Sequence, residues 1–336
     1  MPKISVVMPT CNTPVVFLKE AVESILNQSF YDFEFIIIDD GSSNEAPSYL
    51  DSLSDPRIRL IRSATNLGIT KSLNIGFRAA TGKYIARMDA DDISLPDRLR
   101  IQFDFMESNS DVIVCGNSFI PRPRLNDPET YRIMLLFYNP GPVHPTAFFN
   151  RALLDKYQLQ YNEKLKYSQD YGLWTEISKH GKIHFMKDEL IVIRNHSFDI
   201  SHQHRDEQFC CHKMVAKSLL VPLLDFVSEE EVDLHCVSSC WYRYSKISPE
   251  VTAWYQRLIE ANDKRGVYNR KKFRAAVWNV MGEIVAQSFE KSMSKVRKAA
   301  LLFHYLPFPS ALYKAASLAA ASFRIKVQTA FGKLLS

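Results

Sequence analysis

The chain has 336 residues, of which 46% are hydrophobic, with 42 basic and 37 acidic side chains. This length and composition predict one large domain or two ordinary ones with a real apolar core. The net charge of +5 comes from the end of the chain: residues 291–336 carry eight basic residues and no acidic one, and 34 basic and 37 acidic residues precede them. The slightly acidic body argues against nucleic acid as a partner.

The chain also lacks the usual marks of membrane insertion and export. No uninterrupted run of about 18 apolar residues occurs, so we expect no transmembrane helix. The opening MPKISVVMPT is a short strand-like run interrupted at Pro9, which is not the pattern of a signal peptide. The six cysteines form no CxxC pair. We therefore expect reduced thiols in a cytoplasmic protein.

Short apolar runs alternate with amphipathic segments over the first third of the chain. The predicted strands are residues 4–8, 35–38, 58–61, 84–88 and 112–115, and the predicted helices between them are 16–26, 69–80 and 96–106. The second strand is continuously hydrophobic, as buried parallel strands are. The alternation predicts an α/β fold with a parallel sheet and right-handed crossovers.

The second half of the chain has a different pattern. Loops are predicted around Pro140 and Pro145, and a packed helix opens at Asp170 and ends by Gly181. Residues 183–194 are predicted to be extended or paired strands. From about His204 the pattern is helical as far as residue 290.

Polar clusters follow three of the predicted strands. They are Pro9 to Asn12, Asp39 to Ser42, and Asp89 to Asp92. Because ligands of parallel sheets bind beyond the carboxyl ends of the strands, we expect the three clusters to meet at one edge. Asp89 and Asp91, one residue apart, are then placed to share a hard cation. The alternative is a solvated turn before a helix, which explains Ser94 and Pro96 better than it explains the two aspartates.

Six segments together resemble a known family. PTCN, DDGSS, NLGITKSLNIGF, ATGKYIARMDADD, HPTAFF and QDYGLW occur in this order within roughly residues 3–205. In this the sequence resembles the family 2 glycosyltransferases, inverting enzymes with the GT-A fold, a Rossmann-like and mostly parallel sheet flanked by helices. The resemblance implies a catalytic domain over 1–205, with a nucleotide-binding half at 1–116 and an acceptor half at 117–205. A helical extension over 206–290 and a basic amphipathic tail over 291–336 would follow.

The resemblance implies a metal site for Mn²⁺ or Mg²⁺. Asp89 and Asp91 match the family's DxD motif. Asp91 is then the direct metal ligand, and Asp89 lies nearer the ribose or the donor sugar while also belonging to the metal site. Asp92 is expected to support or cap rather than bind. His196 resembles a histidine that completes the metal site in some relatives, although a lone histidine is more often structural or exposed.

The resemblance also implies where the nucleotide diphosphate sugar binds. Thr10 and Asn12 resemble residues that line a uridine pocket, and Asp40 resembles an acid that binds the base or ribose. Lys71 stands where some relatives place a basic residue near the diphosphate; its alternative is an ordinary lysine on a helix surface. UDP-sugars are the commonest donors of the family.

Inversion requires a base that takes the proton of the acceptor hydroxyl. Asp170, in QDYGLW, matches the family's catalytic base. The family often has Glu-Asp here, whereas this chain has Gln169 before Asp170, which leaves one carboxylate at this point. The alternative role of Asp170 is a helix N-cap. His144 either lines the acceptor cleft or serves the turn at Pro145.

The end of the chain carries an amphipathic pattern. Apolar residues follow helical spacings of three and four at positions 312, 316, 320, 323, 327, 331 and 334, with basic residues on other faces. This pattern predicts a helix lying on an anionic membrane surface. The alternatives are a helix that packs back onto the body or pairs in a homodimer.

Together the resemblance and the basic tail imply a metal-dependent inverting hexosyltransferase, peripheral to the inner face of the cell membrane. Its acceptor would be a glycan or lipid-linked glycan of a surface polysaccharide. One rival is a nucleotidyltransferase, which would carry a glycine-rich phosphate loop that PTCNTP does not provide. Another is a non-catalytic sugar-nucleotide-binding or scaffold protein. The presence of both Asp91 and Asp170 argues against it, because either could be lost without harm to folding.

Overall fold

The computed structural model describes residues 1–118, 123–194, 204–239 and 248–287. The predicted amphipathic tail and His196 lie outside the described residues. Every helix in these ranges is too short or too polar to span a bilayer.

The described residues form two compact units. The first comprises Met1–Arg132 and Asn139–Val215, and the second comprises Ile133–Tyr138 with the described residues from Ala216 onward. A six-residue segment from the middle of the chain therefore belongs with the C-terminal helices.

The described ranges contain nine strands, eleven α-helices and two short 3₁₀ helices, Pro123–Asn126 and His144–Thr146. The strands are β1 Ile4–Thr10, β2 Phe33–Asp40, β3 Ile58–Ser63, β4 Tyr84–Arg87, β5 Ile93–Ser94, β6 Val112–Asn117, β7 Phe148–Asn150, β8 Lys182–Met186 and β9 Ile191–Val192. The helices are α1 Val15–Leu26, α2 Ala46–Asp51, α3 Ile69–Ala79, α4 Arg98–Ser108, α5 Pro128–Leu135, α6 Arg151–Tyr157, α7 Gln169–Ile177, α8 Arg205–Leu224, α9 Glu229–Ser238, α10 Pro249–Arg265 and α11 Arg270–Gln287.

Seven of the strands form the central sheet of the first unit, in the order β3-β2-β1-β4-β7-β6-β8. Six of them are parallel, which confirms the predicted α/β fold, and β7 runs antiparallel to both β4 and β6. The strands predicted within 183–194 are present as β8 and β9. They do not pair with each other: β8 pairs with β6, and β9 pairs with β5. All seven residues of β1 are buried, including the polar Ser5 and Thr10, as expected of a central strand covered on both faces.

The register of the sheet brings the predicted polar clusters to one edge. Thr10 at the end of β1 lies opposite Asp39 near the end of β2. On the other side of β1, Val7 lies opposite Arg87, and the amide of Met88 donates to the carbonyl of Val7 at 3.0 Å. The ends of β1, β2 and β4 are therefore neighbours, as the parallel arrangement predicts.

The second unit is built around a buried histidine. Nε2 of His235 donates to the carbonyl of Leu136 at 2.7 Å, and Nε1 of Trp254 donates to Nδ1 of the same ring at 3.1 Å. The ring of Phe137 packs near His235 and Phe273. These contacts explain why residues 133–138 belong with the helices that follow Ala216.

Candidate active site

Three carboxylates lie together after β4. Oxygens of Asp89, Asp91 and Asp92 all lie within 4.8 Å of one another. The structure thus brings together the two aspartates that the sequence placed at one site and adds Asp92 to them. Carboxylate oxygens grouped in this way fit a hard divalent cation such as Mg²⁺ or Mn²⁺.

A buried arginine that the sequence analysis did not single out holds one of these carboxylates. Arg87, the last residue of β4, donates from Nη1 to Oδ2 of Asp89 at 2.5 Å, and its Nη2 pairs with Oδ1. Only 4% of the Arg87 side chain is exposed. Desolvation raises the pKa of Asp89, the charge of Arg87 opposes this effect, and the charge of Asp91 adds to it. The available signal was a charged residue at the end of an otherwise apolar strand, YIAR.

A second buried arginine ties the end of β4 to the loop that precedes β7. Nη2 of Arg98, in α4, donates to the carbonyl of Arg87 at 2.6 Å and to that of Pro145 at 2.9 Å. Its Nε donates to Gln102 at 3.0 Å. Complete burial lowers the pKa of Arg98 to about 9, and the charge of Arg87 contributes to the lowering.

Asp92 anchors the segment that follows β9 rather than a helix. Its Oδ1 accepts from the amide of Arg194 at 3.0 Å, and Nη1 of Arg194 donates to the carbonyl of Asp91 at 2.9 Å. The N-cap position of α4 belongs to Asp97, so Asp92 supports the site without capping that helix. Burial, followed by the charge of Asp89, raises the pKa of Asp92 to about 7.

The loops after β1 and β2 are bound to each other. Asn12 has a left-handed backbone with φ 53°, and its Oδ1 accepts from the amide of Ser43 at 2.8 Å. Its own amide donates to Oγ of Ser42 at 2.9 Å. Thr10 is buried and its hydroxyl donates to Oγ1 of Thr13 at 3.0 Å. The predicted uridine-pocket residues thus lie on one interlocked pair of loops.

Asp40 organises the loop before α3. Its two carboxylate oxygens accept from the amides of Leu67 and Gly68, each at 2.8 Å. Asp40 is 3% exposed, whereas Lys71 is exposed in the first turn of α3. The structure gives Asp40 a role in loop geometry, and the contacts of Asp40 and Lys71 with a nucleotide stay predictions.

The predicted catalytic base lies in the first turn of α7. Oδ2 of Asp170 accepts from Nδ2 of Asn139 at 2.8 Å. Burial raises the pKa of Asp170, and the backbone amide of Tyr171, the Asn139 hydrogen bond and the charge of Arg87 oppose this. Ser168 occupies the N-cap position of α7, so Asp170 is not the cap that the alternative interpretation proposed.

His144 lies in a neighbouring aromatic cluster. Its Nε2 lies 2.8 Å from the hydroxyl of Tyr161, and its ring packs edge-on against Trp174. Desolvation, followed by the charge of Arg87, holds the pKa of His144 well below its usual range. The ring is therefore neutral at physiological pH. Arg87 influences both the acidic cluster and the group around Asp170.

Comparison with known proteins identifies the family of the chain. Residues 5–170 match the family model described as Glycosyl transferase family 2. The chain is 37% identical over 209 residues to an uncharacterized glycosyltransferase of Methanocaldococcus jannaschii, covering 57% of this chain and 71% of that one. It is 31% identical over 193 residues to the succinoglycan biosynthesis protein ExoO of Rhizobium meliloti, covering 52% and 55% of the two chains.

The fold is also similar to a solved structure. The crystal structure of S. aureus TarS 1–349 in complex with UDP-GlcNAc superposes with a TM-score of 0.55 at 17% sequence identity. The match covers 93% of this chain and 88% of that one. At this level of identity the likeness concerns the fold.

Proposed function

The chain belongs to glycosyltransferase family 2 and is a glycosyltransferase, and from this premise we propose a more specific activity. It is a metal-dependent inverting hexosyltransferase that moves a sugar from a UDP-sugar to a glycan or lipid-linked glycan of a surface polysaccharide. The observation that carries the proposal is the acidic cluster of Asp89, Asp91 and Asp92 at the strand-end edge of the sheet. The relative ExoO is named as a succinoglycan biosynthesis protein, which supports a polysaccharide as the product. TarS, whose fold this chain shares, was crystallised with UDP-GlcNAc, which supports a UDP-sugar as the donor.

Different residues of the chain would bind the two parts of the donor, its uridine and its diphosphate. Thr10, Asn12 and Asp40 would bind the uridine, and Lys71 would meet the diphosphate. Their placement on the joined loops after β1 and β2 and in the first turn of α3 supports these roles. The exposed ammonium of Lys71 is available to an incoming anion.

Asp91 and Asp89 would hold Mn²⁺ or Mg²⁺, together with His196. When bound, the cation would neutralise charge on the departing nucleoside diphosphate. The proposed role of His196 is supported by Arg194, two positions earlier in the sequence, which is hydrogen-bonded to Asp91 and Asp92 of the acidic cluster.

Asp170 would accept the proton of the attacking acceptor hydroxyl. Asn139 and the amide of Tyr171 fix the direction of its carboxylate. Its raised pKa makes it a stronger proton acceptor than a solvated aspartate.

The experiment is a thermal-shift panel of UDP-, GDP- and dTDP-sugars with and without Mn²⁺. It compares the wild type with Asp91→Ala, and with Asp104→Ala as a control on the exposed side of α4. We expect one nucleotide to stabilise the wild type and the control in a metal-dependent way, and Asp91→Ala to lose the effect. Asp170→Asn should keep the stabilisation and lose sugar transfer. The absence of stabilisation by every donor would contradict the proposal, and donor binding without transfer by the wild type would favour the non-catalytic alternative.

We also propose that residues 291–336 place the enzyme at the inner face of the cell membrane, on the basis of their charge and apolar spacing. Full-length protein should sediment with vesicles containing phosphatidylglycerol, and added salt should weaken the binding. A chain ending at residue 290 should stay in solution. Sedimentation of the shortened chain with the vesicles would contradict the proposal. A full-length protein that forms a dimer and does not bind the vesicles would favour pairing through the tail.

A further inference from the structure

Arg87 forms a complete fork with Asp89 inside the acidic cluster. Both terminal nitrogens of the guanidinium engage Asp89, one at each carboxylate oxygen. Arg87 is 3% exposed, and its Nε is buried with no hydrogen-bond partner among the described residues. A buried cation held in this way keeps its charge at the site, because the guanidinium does not deprotonate in proteins.

The acidic cluster is therefore much less negative than its sequence indicates. Three carboxylates, of Asp89, Asp91 and Asp92, are opposed by the buried guanidinium groups of Arg87 and Arg98. Arg98 is fully buried and donates to the main-chain carbonyl of Arg87, so its positive charge lies at the end of β4, next to the acidic cluster. A divalent cation that approaches these carboxylates meets two positive formal charges beside the three negative ones.

We propose that Arg87 competes with the divalent cation for Asp89 in the donor-free protein. The inference rests on the proposed metal site. A cation at either oxygen of Asp89 lies beside a guanidinium of like charge, and their repulsion weakens binding. The diphosphate of the donor adds the negative charge that the site lacks, so cation and donor bind as a pair. Arg87 is in this sense a positioning residue that couples metal occupancy to donor occupancy.

The test measures donor-free Mn²⁺ affinity from the paramagnetic resonance signal of unbound Mn²⁺. Arg87→Met, which removes the charge and keeps much of the volume, should bind Mn²⁺ at least about tenfold more tightly than the wild type. Arg87→Lys keeps the charge and should stay within about threefold of the wild type. A purely structural role for Arg87 predicts the opposite result for Arg87→Met, because loss of support for Asp89 would weaken binding.

A control ion pair is available elsewhere in the first unit. Arg57 makes the same kind of fork to Asp55, also two residues away, with Nε and Nη2 at 3.0 and 2.8 Å from the two carboxylate oxygens. This pair precedes β3 and lies outside the acidic cluster. Arg57→Met should therefore leave Mn²⁺ affinity unchanged. If Arg87→Met does not fold, Arg87→Gln is the second neutral variant, since its amide retains a hydrogen bond to Asp89, and the same gain is expected.

The outcomes separate this inference from the proposed function. Mn²⁺ binding by the wild type, with equal or weaker binding by the neutral variants, would overturn the role of Arg87 and leave the metal site intact. If neither the wild type nor a neutral variant bound Mn²⁺, with or without UDP, both the metal site and this inference would fall. Tighter Mn²⁺ binding by a neutral variant of Arg87, with unchanged Mn²⁺ affinity of Arg57→Met, would support both the metal site and the role of Arg87.

Discussion

The side-chain amide of Asn139 donates a hydrogen bond of 2.8 Å to Oδ2 of Asp170. A residue outside every motif of the sequence thus orients the carboxylate proposed as the base. Oδ1 of Asn139 in turn accepts from the amide of Gly141 at 3.1 Å, which fixes the direction of the donor. The short loop before β7 therefore helps to set the chemistry at α7.

Replacement of Asn139 by alanine should change the pH dependence of transfer. The hydrogen bond from Asn139 favours the ionised form of Asp170, so its loss should raise the pKa of this carboxyl further. The acidic limb of the kcat/KM profile should move to higher pH, by about half a unit or more. Asn109→Ala, which removes an amide bound to the carbonyl of Phe105 at the end of α4, is the control. An acidic limb that stays in place in Asn139→Ala would show that Asn139 does not tune the base.

Asp40 should contribute to stability independently of any nucleotide. Asp40→Ala leaves the amides of Leu67 and Gly68 without their acceptors, and we expect a loss of about 2–4 kcal/mol in the free energy of unfolding. Asp40→Asn keeps one acceptor and should lose about half as much. Urea denaturation followed by circular dichroism measures both. Asp51→Ala, at an exposed surface ion pair with Arg62, should change stability by less than about 1 kcal/mol.

If Asp40 also binds the nucleotide, Asp40→Asn should lose affinity for UDP beyond what its stability explains. Isothermal titration well below the unfolding temperature separates the two effects. Unchanged UDP affinity in a folded Asp40→Asn protein would restrict Asp40 to the loop.

Most strands of the sheet were predictable because each contains a short apolar run, which in β2 is continuous from Phe35 to Ile38. The predicted helices 16–26, 69–80 and 96–106 also agree with α1, α3 and α4 to within two residues at each end. The antiparallel strand β7 was not predicted, since three residues carry too little periodicity to show a direction. Parallel and antiparallel pairing depend on how the chain returns to the sheet, which a local pattern does not encode.

The acidic cluster was predictable because its residues are close together in the sequence. Spacing along one strand end places Asp89 and Asp91 together, and no distant residue is needed. Arg87 was read as part of the strand, because whether a strand residue points at the following loop or into the core depends on the packing of α4 and of the loop at Pro145. The membership of residues 133–138 in the second unit likewise depends on His235, about a hundred positions away along the chain.

A side chain added at Gly76 should destabilise the protein. It lies in α3, where an added Cβ would collide with Cγ1 of Val7 in β1 and lie 2.8 Å from Cδ1 of Ile38 in β2. Both contacts are with buried β-branched side chains of the sheet, which have little freedom to move. Alanine at this position should lower the free energy of unfolding by about 1–3 kcal/mol, although alanine favours helix. Arg78→Ala, exposed on the same helix, should change it by less than about 0.5 kcal/mol, and an equally stable Gly76→Ala would contradict the close packing of α3.

His235 should make the second unit sensitive to acid. The indole N–H of Trp254 donates a hydrogen bond to Nδ1, and the Nε2–H of His235 donates a hydrogen bond to the carbonyl of Leu136. Both ring nitrogens are therefore hydrogen-bonded in the neutral form of the ring. Burial lowers its pKa to about 4, against about 6.5 in an unfolded chain. Between these values the unfolded chain binds a proton that the folded chain excludes. The stability contributed by neutral His235 is therefore complete above about pH 6.5 and is lost as the pH falls toward 4, with a total of about 3 kcal/mol.

Urea denaturation of the wild type and of His235→Gln across this pH range measures the contribution. Glutamine cannot titrate, so the wild type should lose stability relative to the variant as the pH falls, even though the variant starts less stable at neutral pH because its hydrogen bonds fit less well. His180→Gln, at an exposed ring that stacks on Tyr157, should run parallel to the wild type. If the curves of His235→Gln and the wild type were also parallel, the proton would not be excluded from His235, and the buried hydrogen-bond pair with Trp254 would have to open in the folded protein.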